Sequence, residues 1–259
     1  CMNRLDEGIG MVLKEMDDLG VRENTLIVYI ADHGADFPRA KGSIYESGSR
    51  IPMIVNYPKI FSAGTVEKGM VSTIDILPTM MELCKMDIPD ELPGRSLLAL
   101  DRNEREGRKY IQTFTTGSSP NLLYLQFGIR DERYKLIYNP YRHVNHLAVS
   151  RYVNSKLPDD EKVDAFVRPP EWELYDLDKD PYEWENLAER KDLREKRKEL
   201  LEAMESFQRE IGDPFLKKEN RDRFQEEQLK HRVKMAYRKQ KGFRWPHLEM
   251  FEKKNGEKK

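Results

Sequence analysis

Cysteine is scarce in this sequence, and long apolar runs are missing. The chain has two cysteines, Cys1 and Cys84, in 259 residues. Two are too few for a disulfide framework, so cysteine usage indicates no redox compartment. No apolar segment approaches the roughly 18 residues that a membrane-spanning helix needs. The sequence therefore predicts neither a membrane span nor a disulfide-rich scaffold.

An excess of charge of one sign is also lacking. The sequence has 45 Lys and Arg against 46 Asp and Glu, a formal net charge of −1, which argues against nucleic acid as a partner. Hydrophobic residues make up 38% and charged residues 35% of the chain, whereas globular domains are roughly 45–50% apolar. Because the charge is concentrated in the C-terminal third, the first two thirds still have the composition of a globular protein.

The start of the sequence is uninformative about targeting. It begins with Cys rather than Met and opens inside a helical pattern, so the lack of a signal peptide excludes nothing. We expect the chain to be the C-terminal portion of a longer protein.

Residues 25–55 carry the pattern on which the functional interpretation depends. Residues 26–31, LIVYIA, form an apolar run that predicts a strand buried on both faces, as in a parallel sheet. The run ends at Asp32 and His33, and open α/β sheets bind ligands beyond the carboxyl ends of their strands. This pair predicts a metal site, and Lys41 supplies a nearby cation for an anionic substrate. Residues 51–56 predict a second buried strand.

Several sequence blocks, in this order, resemble the type I sulfatases of the alkaline phosphatase-like superfamily. The blocks are NTLIVYIADHG and KGSIYESGSRIPMIV (24–34 and 41–55), VSTIDILPT (71–79), PGRSLL (93–98), RDERYKLI (130–137) and WELYDLDKDPYEWENLA (172–188). The resemblance covers residues 2–212. The order of the blocks along the chain is more specific evidence than any single block. The DHGADFP stretch and the WELYD block also resemble the branch that contains heparan N-sulfatase.

The resemblance implies an α/β fold: the rear part of an alkaline phosphatase-like, mostly parallel sheet sandwiched by helices, plus a smaller C-terminal antiparallel α+β subdomain. The residues agree for the later part, because strand patterns at 110–115, 122–129, 134–139 and 172–176 with short turns predict an antiparallel sheet. A helical stripe at 190–211 would cover one face of it. We predict the C-terminal part of the sulfatase α/β domain at 1–107, the small subdomain at 108–212 and a charged extension at 213–259.

The resemblance also implies roles for individual residues. Asp32 and His33 would bind a divalent metal, usually calcium, which prefers oxygen ligands and so suits Asp32 better. Lys41 would contact the sulfate group and stabilise the charge that builds on its oxygens. We interpret Glu46 and Arg50 as a structural ion pair or a loop anchor.

A substrate pocket is a further hypothesis. The long segment between the third and fourth strand patterns contains Arg142, His143 and His146, which we propose as substrate-binding residues. A solvated excursion explains such a segment equally well.

The sulfatase nucleophile is missing from this sequence. That family makes a formylglycine from Cys or Ser in a Cys/Ser-x-Pro-x-Arg motif, and no such motif occurs here. We expect the N-terminal part of the same protein, or another chain, to supply the nucleophile and the remaining metal ligands, and this chain alone to be inert. The resemblance implies a complete enzyme that hydrolyses a sulfate ester or sulfamate on a sulfated small molecule or glycan, in an extracytoplasmic location: periplasmic, secreted or lysosomal.

Two alternatives stay open at this point. A phosphodiesterase or phosphonate hydrolase of the same superfamily would use the adjacent Asp and His as zinc ligands, so that pair alone does not decide. A non-catalytic binding module would keep the fold without the chemistry. The blocks at 41–52 and 172–188 favour the sulfatase.

Overall fold

The computed structural model describes residues 2–37, 39–98, 108–116, 125–141, 169–232, 241–242 and 244–251. The chain divides into two units, Cys1–Asp32 with Ile51–Arg108 and His33–Arg50 with Lys109–Lys259. Residues 33–50 thus belong with the later part of the chain, an assignment that the sequence did not indicate. The predicted division at 107 and 212 stays a prediction. None of the helices in these ranges is both long enough and apolar enough to span a membrane.

The first unit opens with the predicted helix, α1 (Met2–Asp18). Gly20 follows at a positive φ of 67°, the left-handed conformation that ends helices and that glycine adopts without strain. The apolar stripe of α1 is only partly covered, since Leu5 is 54% and Val12 61% exposed.

Two strands of the first unit pair with each other, β1 (Ile27–Ile30) and β2 (Met53–Asn56). Both strands were expected from the sequence, but they run antiparallel. Neither is buried on both faces as expected, because Ile30 is 38% and Ile54 61% exposed. Burial on both faces requires covering layers, and in the described part of this unit β1 pairs only with β2. A parallel sheet sandwiched by helices therefore stays a prediction.

The described part of the first unit also contains short helical structure. A 3-10 turn, Thr73–Asp75, leads into α3 (Ile76–Leu83), and Ser72 and Asp75 close a capping box at its start. Asp75 is fully buried and forms an ion pair with Arg108. The helix α2 (Glu46–Ser49) belongs to the second unit.

The second unit is built on a four-stranded antiparallel sheet, as predicted. Its strands, in sheet order, are β3 (Ile111–Thr115), β4 (Gln126–Arg130), β5 (Tyr134–Tyr138) and β6 (Trp172–Asp176). A tight turn joins β4 to β5, where the Asp131 carboxylate accepts hydrogen bonds from the amides of Arg133 and Tyr134 at 2.8 and 2.6 Å.

The side chains of this sheet alternate between two buried layers. On one face Leu136 and Leu174 pack with Leu200 of the predicted helix, here α4 (Arg194–Glu210). On the other face Ile137 and Tyr175 pack with Ile44 and Tyr45. The sheet is thus covered by α4 on one side and by residues from the 33–50 segment on the other.

The charged C-terminal extension contributes to the same core. It forms a 3-10 turn, Pro214–Leu216, then α5 (Lys218–Arg232) and a second 3-10 turn, Pro246–Phe251. Phe215 is 4% and Phe224 3% exposed, and both join the α4 layer. These two aromatic residues of the extension therefore pack onto the domain.

The packing of α4 predicts a large effect at one position. Leu200 is 0% exposed, so Leu200→Ala should lower the free energy of unfolding by about 2–5 kcal/mol through lost burial and an unfilled cavity. Glu202→Ala, in the same helix with its side chain 67% exposed, should change it by no more than about 0.5 kcal/mol. Urea denaturation measures both, and equal effects would contradict this packing.

Candidate functional site

Residues 33–50, here called the site loop, close tightly on themselves. The Gly34 amide donates to the Gly48 carbonyl at 3.0 Å. A Cβ on Gly34 would lie 1.8 Å from the Ser47 carbonyl oxygen, and one on Gly48 would lie 2.2 Å from that of Ala40. No side chain fits at such distances, so the two glycines let the ends of the loop touch. The Lys41 amide is held in turn by the Ala35 carbonyl at 3.0 Å.

The two site residues predicted within this loop have defined surroundings. His33 Nδ1 lies 2.7 Å from the Gly34 carbonyl oxygen, which can only accept, so Nδ1 carries the proton. A neutral ring in that tautomer has its lone pair on Nε2, the form in which imidazole binds metals. Lys41 is partly buried, and no carboxylate in the described ranges forms an ion pair with its ammonium group.

The other predicted site residues are Asp32, Arg142, His143 and His146. Asp32 directly precedes His33 in the chain, two positions after the end of β1, and is exposed. Arg142, His143 and His146 lie outside the described residues. No group of three or more His, Cys, Asp or Glu side chains suited to a metal occurs in the described ranges. The metal site stays a prediction.

A buried ionic cluster anchors the site loop to the sheet, and sequence reasoning found only part of it. Lys135 of β5 is 1% exposed. Its ammonium donates to the Ile44 carbonyl at 2.5 Å and to the Glu46 carboxylate at 2.9 Å, and it lies 3.3 Å from the Glu183 carboxylate. Glu183 accepts the Glu46 amide at 2.6 Å, and Arg130 donates to the Glu46 carboxylate at 2.5 Å. Glu46 is therefore a loop anchor, as interpreted.

The charges in this cluster determine how its two carboxyl groups ionise. Burial opposes ionisation of Glu46, but the positive charges of Lys135 and Arg130 outweigh it and hold the pKa of Glu46 below its ordinary value. Burial raises the pKa of Glu183, with Lys135 opposing. The cations thus stabilise the charged form of the loop carboxylate more than that of its neighbour.

A second anchor lies one residue earlier in the loop. The Tyr45 hydroxyl donates to the Glu173 carboxylate at 2.9 Å, and Glu173 is 2% exposed. The Arg39 guanidinium carbon lies 3.9 Å from the Tyr45 ring centre, and Arg39 donates to the Tyr175 hydroxyl at 3.3 Å and to the Glu183 carbonyl. Burial raises the pKa of Glu173 although several hydrogen bonds favour its ionised form.

The sequence contains a signal for these anchors. The β5 and β6 segments read YKLIY and WELYD, and alternation puts Lys135 and Glu173 on the same face as Ile137 and Tyr175. A charge at a core-facing position of a strand needs a buried partner. The pattern therefore indicates buried counter-charges, but not their place in the chain.

Comparison with known proteins gives a family match over part of the chain. Residues 39–148 match the family model described as N-sulphoglucosamine sulphohydrolase, C-terminal. This match begins inside the site loop and includes β3, β4 and β5.

Curated relatives match most of this chain. An N-acetylglucosamine-6-O-sulfatase of Bacteroides thetaiotaomicron is 27% identical over 213 residues, which is 81% of this chain and 34% of the relative. The human N-sulphoglucosamine sulphohydrolase is 25% identical over 252 residues, 83% of this chain and 47% of the relative. The chain thus spans less than half the length of these relatives.

A solved structure shares the fold. It is described as a complex with its substrate D-glucosamine-2-N,6-O-disulfate and is 27% identical to this chain. The match has a TM-score of 0.59 and covers 80% of this chain and 39% of the other.

Because Lys135 is the central cation of the ionic cluster, we predict that the stability of the second unit depends on it. Lys135→Met leaves the Glu46 and Glu183 carboxylates buried without their shared cation, and should lower the free energy of unfolding by about 3–5 kcal/mol. Lys198→Met is the matched control, because the Lys198 side chain is 66% exposed and its surface ion pair contributes at most about 1 kcal/mol.

Chemical denaturation of both variants at neutral pH tests this expectation. Adding Glu183→Gln to Lys135→Met should restore part of the loss, since it removes one of the uncompensated charges. A Lys135→Met variant as stable as the control would show that the cluster does not hold the loop.

Proposed function

Because this chain belongs to the sulfatase family and matches its C-terminal portion, we propose that it is part of an enzyme that hydrolyses sulfate esters or sulfamates on a carbohydrate. The observation that carries the proposal is the setting of Lys41. This cation follows the Asp32–His33 pair in a loop that is closed by backbone hydrogen bonds and anchored by buried charges. The backbone that carries this cation is therefore fixed before any substrate binds.

Lys41 would bind the sulfate group. Its amide is fixed by the Ala35 carbonyl at 3.0 Å, and its ammonium is not neutralised by a carboxylate within the described ranges. Negative charge grows on the sulfuryl oxygens as the sulfur–oxygen or sulfur–nitrogen bond breaks, and a preorganised cation lowers the energy of that state. We therefore assign Lys41 the catalytic role of stabilising those oxygens.

Asp32 and His33 would hold the divalent metal, with calcium as the first candidate. The exposed carboxylate of Asp32 and the His33 tautomer both suit ligation. The metal would polarise the sulfuryl group and stabilise the nucleophile as an anion. Asp32 and His33 would provide two ligands, and further ligands and the formylglycine nucleophile would come from an N-terminal sulfatase portion.

The relatives support a carbohydrate as the substrate. The names of two of them refer to N-acetylglucosamine-6-O-sulfate and N-sulphoglucosamine chemistry, and a third, from Formosa agariphila, is an ulvan-active sulfatase 28% identical over 228 residues. The resemblance to the sulfatases also implies an extracytoplasmic location, and this location suits an enzyme that acts on polymeric sulfated substrates.

The phosphonate hydrolase alternative has weaker support. A phosphonate monoester hydrolase from Silicibacter pomeroyi shares the fold with a TM-score of 0.57 but is 20% identical, which supports a common architecture alone. Turnover of a sulfate ester and of a matched phosphonate monoester by the protein in its natural form separates the two functions, and faster phosphonate turnover with bound zinc would favour the alternative.

Substitution of Lys41 tests the proposed role. In the protein in its natural form, Lys41→Ala should lower kcat/KM for a sulfate ester by about 10²–10³, the effect of removing one charge-stabilising group. Lys41→Arg should keep part of the activity because it keeps the charge. Lys68→Ala, at an exposed position of the first unit, should leave the rate unchanged. Full activity of Lys41→Ala would contradict the assignment.

A further inference from the structure

One exposed aromatic side chain contacts Arg39 of the site loop, and a second lies two positions before Arg39 in the chain. Trp184 is 62% exposed, and its ring centre lies 5.5 Å from the Arg39 guanidinium carbon. Phe37, also 62% exposed, precedes Arg39 by two positions. An exposed aromatic ring offers a ligand a large apolar face, because it buries a large apolar area when a partner stacks on it.

The backbone on both sides of these aromatic residues is fixed. The Phe37 amide donates to the Ala35 carbonyl at 2.7 Å, and the Phe37 carbonyl accepts the Ala40 amide at 3.2 Å. Glu183, directly before Trp184, is fully buried and bonds to the site loop through both its carboxylate and its carbonyl. Binding a ligand on either ring therefore costs little conformational entropy of the backbone.

The charges nearby select the kind of ligand. Lys41 is two residues after Arg39, a distance of at most about 7 Å along the chain, so two cationic residues and one exposed aromatic residue lie within five consecutive positions of the site loop. A membrane or an apolar peptide would use a continuous aliphatic surface. A sulfated sugar instead presents an anion together with a ring whose C–H groups pack against aromatic faces.

We propose that Trp184 and Phe37 form a stacking surface for a sugar ring of the sulfated carbohydrate whose sulfate group Lys41 binds. This inference rests on the proposed function and adds a substrate-binding role for two residues outside the metal pair and Lys41. Trp184 and Phe37 would contact the ring and not the reacting sulfur. They would set affinity for carbohydrate substrates and leave the chemical step unchanged.

Tyr182 provides a matched control. It lies two positions before Trp184 and is 67% exposed, but the contact to Arg39 is made by Trp184. If exposure of an aromatic ring near this turn were sufficient for binding, Tyr182 and Trp184 would behave alike.

The test is calorimetric binding of a sulfated oligosaccharide and its desulfated form to the protein in its natural form. Trp184→Ala and Phe37→Ala should each weaken binding of both forms by about threefold to tenfold, as expected for one lost aromatic contact. Trp184→Phe should restore most of the affinity, and Tyr182→Ala should change nothing. Lys41→Ala should weaken only the sulfated form. Hydrolysis of a small alkyl sulfate should keep its kcat in the aromatic variants.

The outcomes separate this inference from the proposed function. Equal affinities of Trp184→Ala, Tyr182→Ala and the unmodified protein would overturn the stacking surface even if sulfate hydrolysis is observed. Loss of affinity for both sugar forms in Trp184→Ala, without any sulfate turnover by the unmodified protein, would support the sugar site and overturn the sulfatase function. A Trp184 whose fluorescence is shielded from acrylamide in the sugar-free protein would also overturn the inference, because protein would already cover the ring.

Discussion

The second unit depends on one buried cation. Lys135 is 1% exposed in the middle of a four-stranded sheet, where an unpaired ammonium group would cost several kcal/mol. The cost is offset because the site loop supplies a carbonyl and the Glu46 carboxylate, and the turn after β6 supplies Glu183. The loop and that turn must therefore both lie over this face of the sheet. The site loop and the turn after β6 are distant in sequence, and both supply polar groups that bind the buried Lys135 ammonium.

That requirement explains why the two faces of the sheet differ. The face toward α4 is packed with leucine and phenylalanine. Such packing tolerates small shifts of the packed elements, because apolar contacts have no strict direction. The opposite face combines Ile137 with hydrogen-bonded charges, which permit few arrangements. Gly128 shows how close the fit is, since a Cβ there would lie 3.0 Å from Ile44 Cδ1. Directional contacts on this face define the position of the loop.

The sequence predicted local structure well and long-range attachment poorly. Helix α1, strands β3 to β6 and helix α4 were all found, because apolar periodicity and short turns are local signals. The antiparallel pairing of β1 with β2 and the partial exposure of both strands were not expected from the sequence, because pairing and burial depend on distant segments. Glu46 was interpreted as a possible loop anchor, but its partner was missed for the same reason: Glu46 and Lys135 are 89 positions apart, and no local pattern indicates such a pairing. The sequence resemblance located Lys41 but could not show how it is held.

The two anchors of the site loop act on neighbouring residues and are therefore coupled. Tyr45 binds Glu173 and Glu46 binds Lys135, and a single peptide bond joins the two loop residues. A shift at one anchor moves the backbone of the other, so their contributions to stability cannot be additive. Arg39 strengthens the coupling, because it contacts the Tyr45 ring and also the Glu183 carbonyl. The loop that carries Lys41 is consequently held as one piece against the C-terminal sheet.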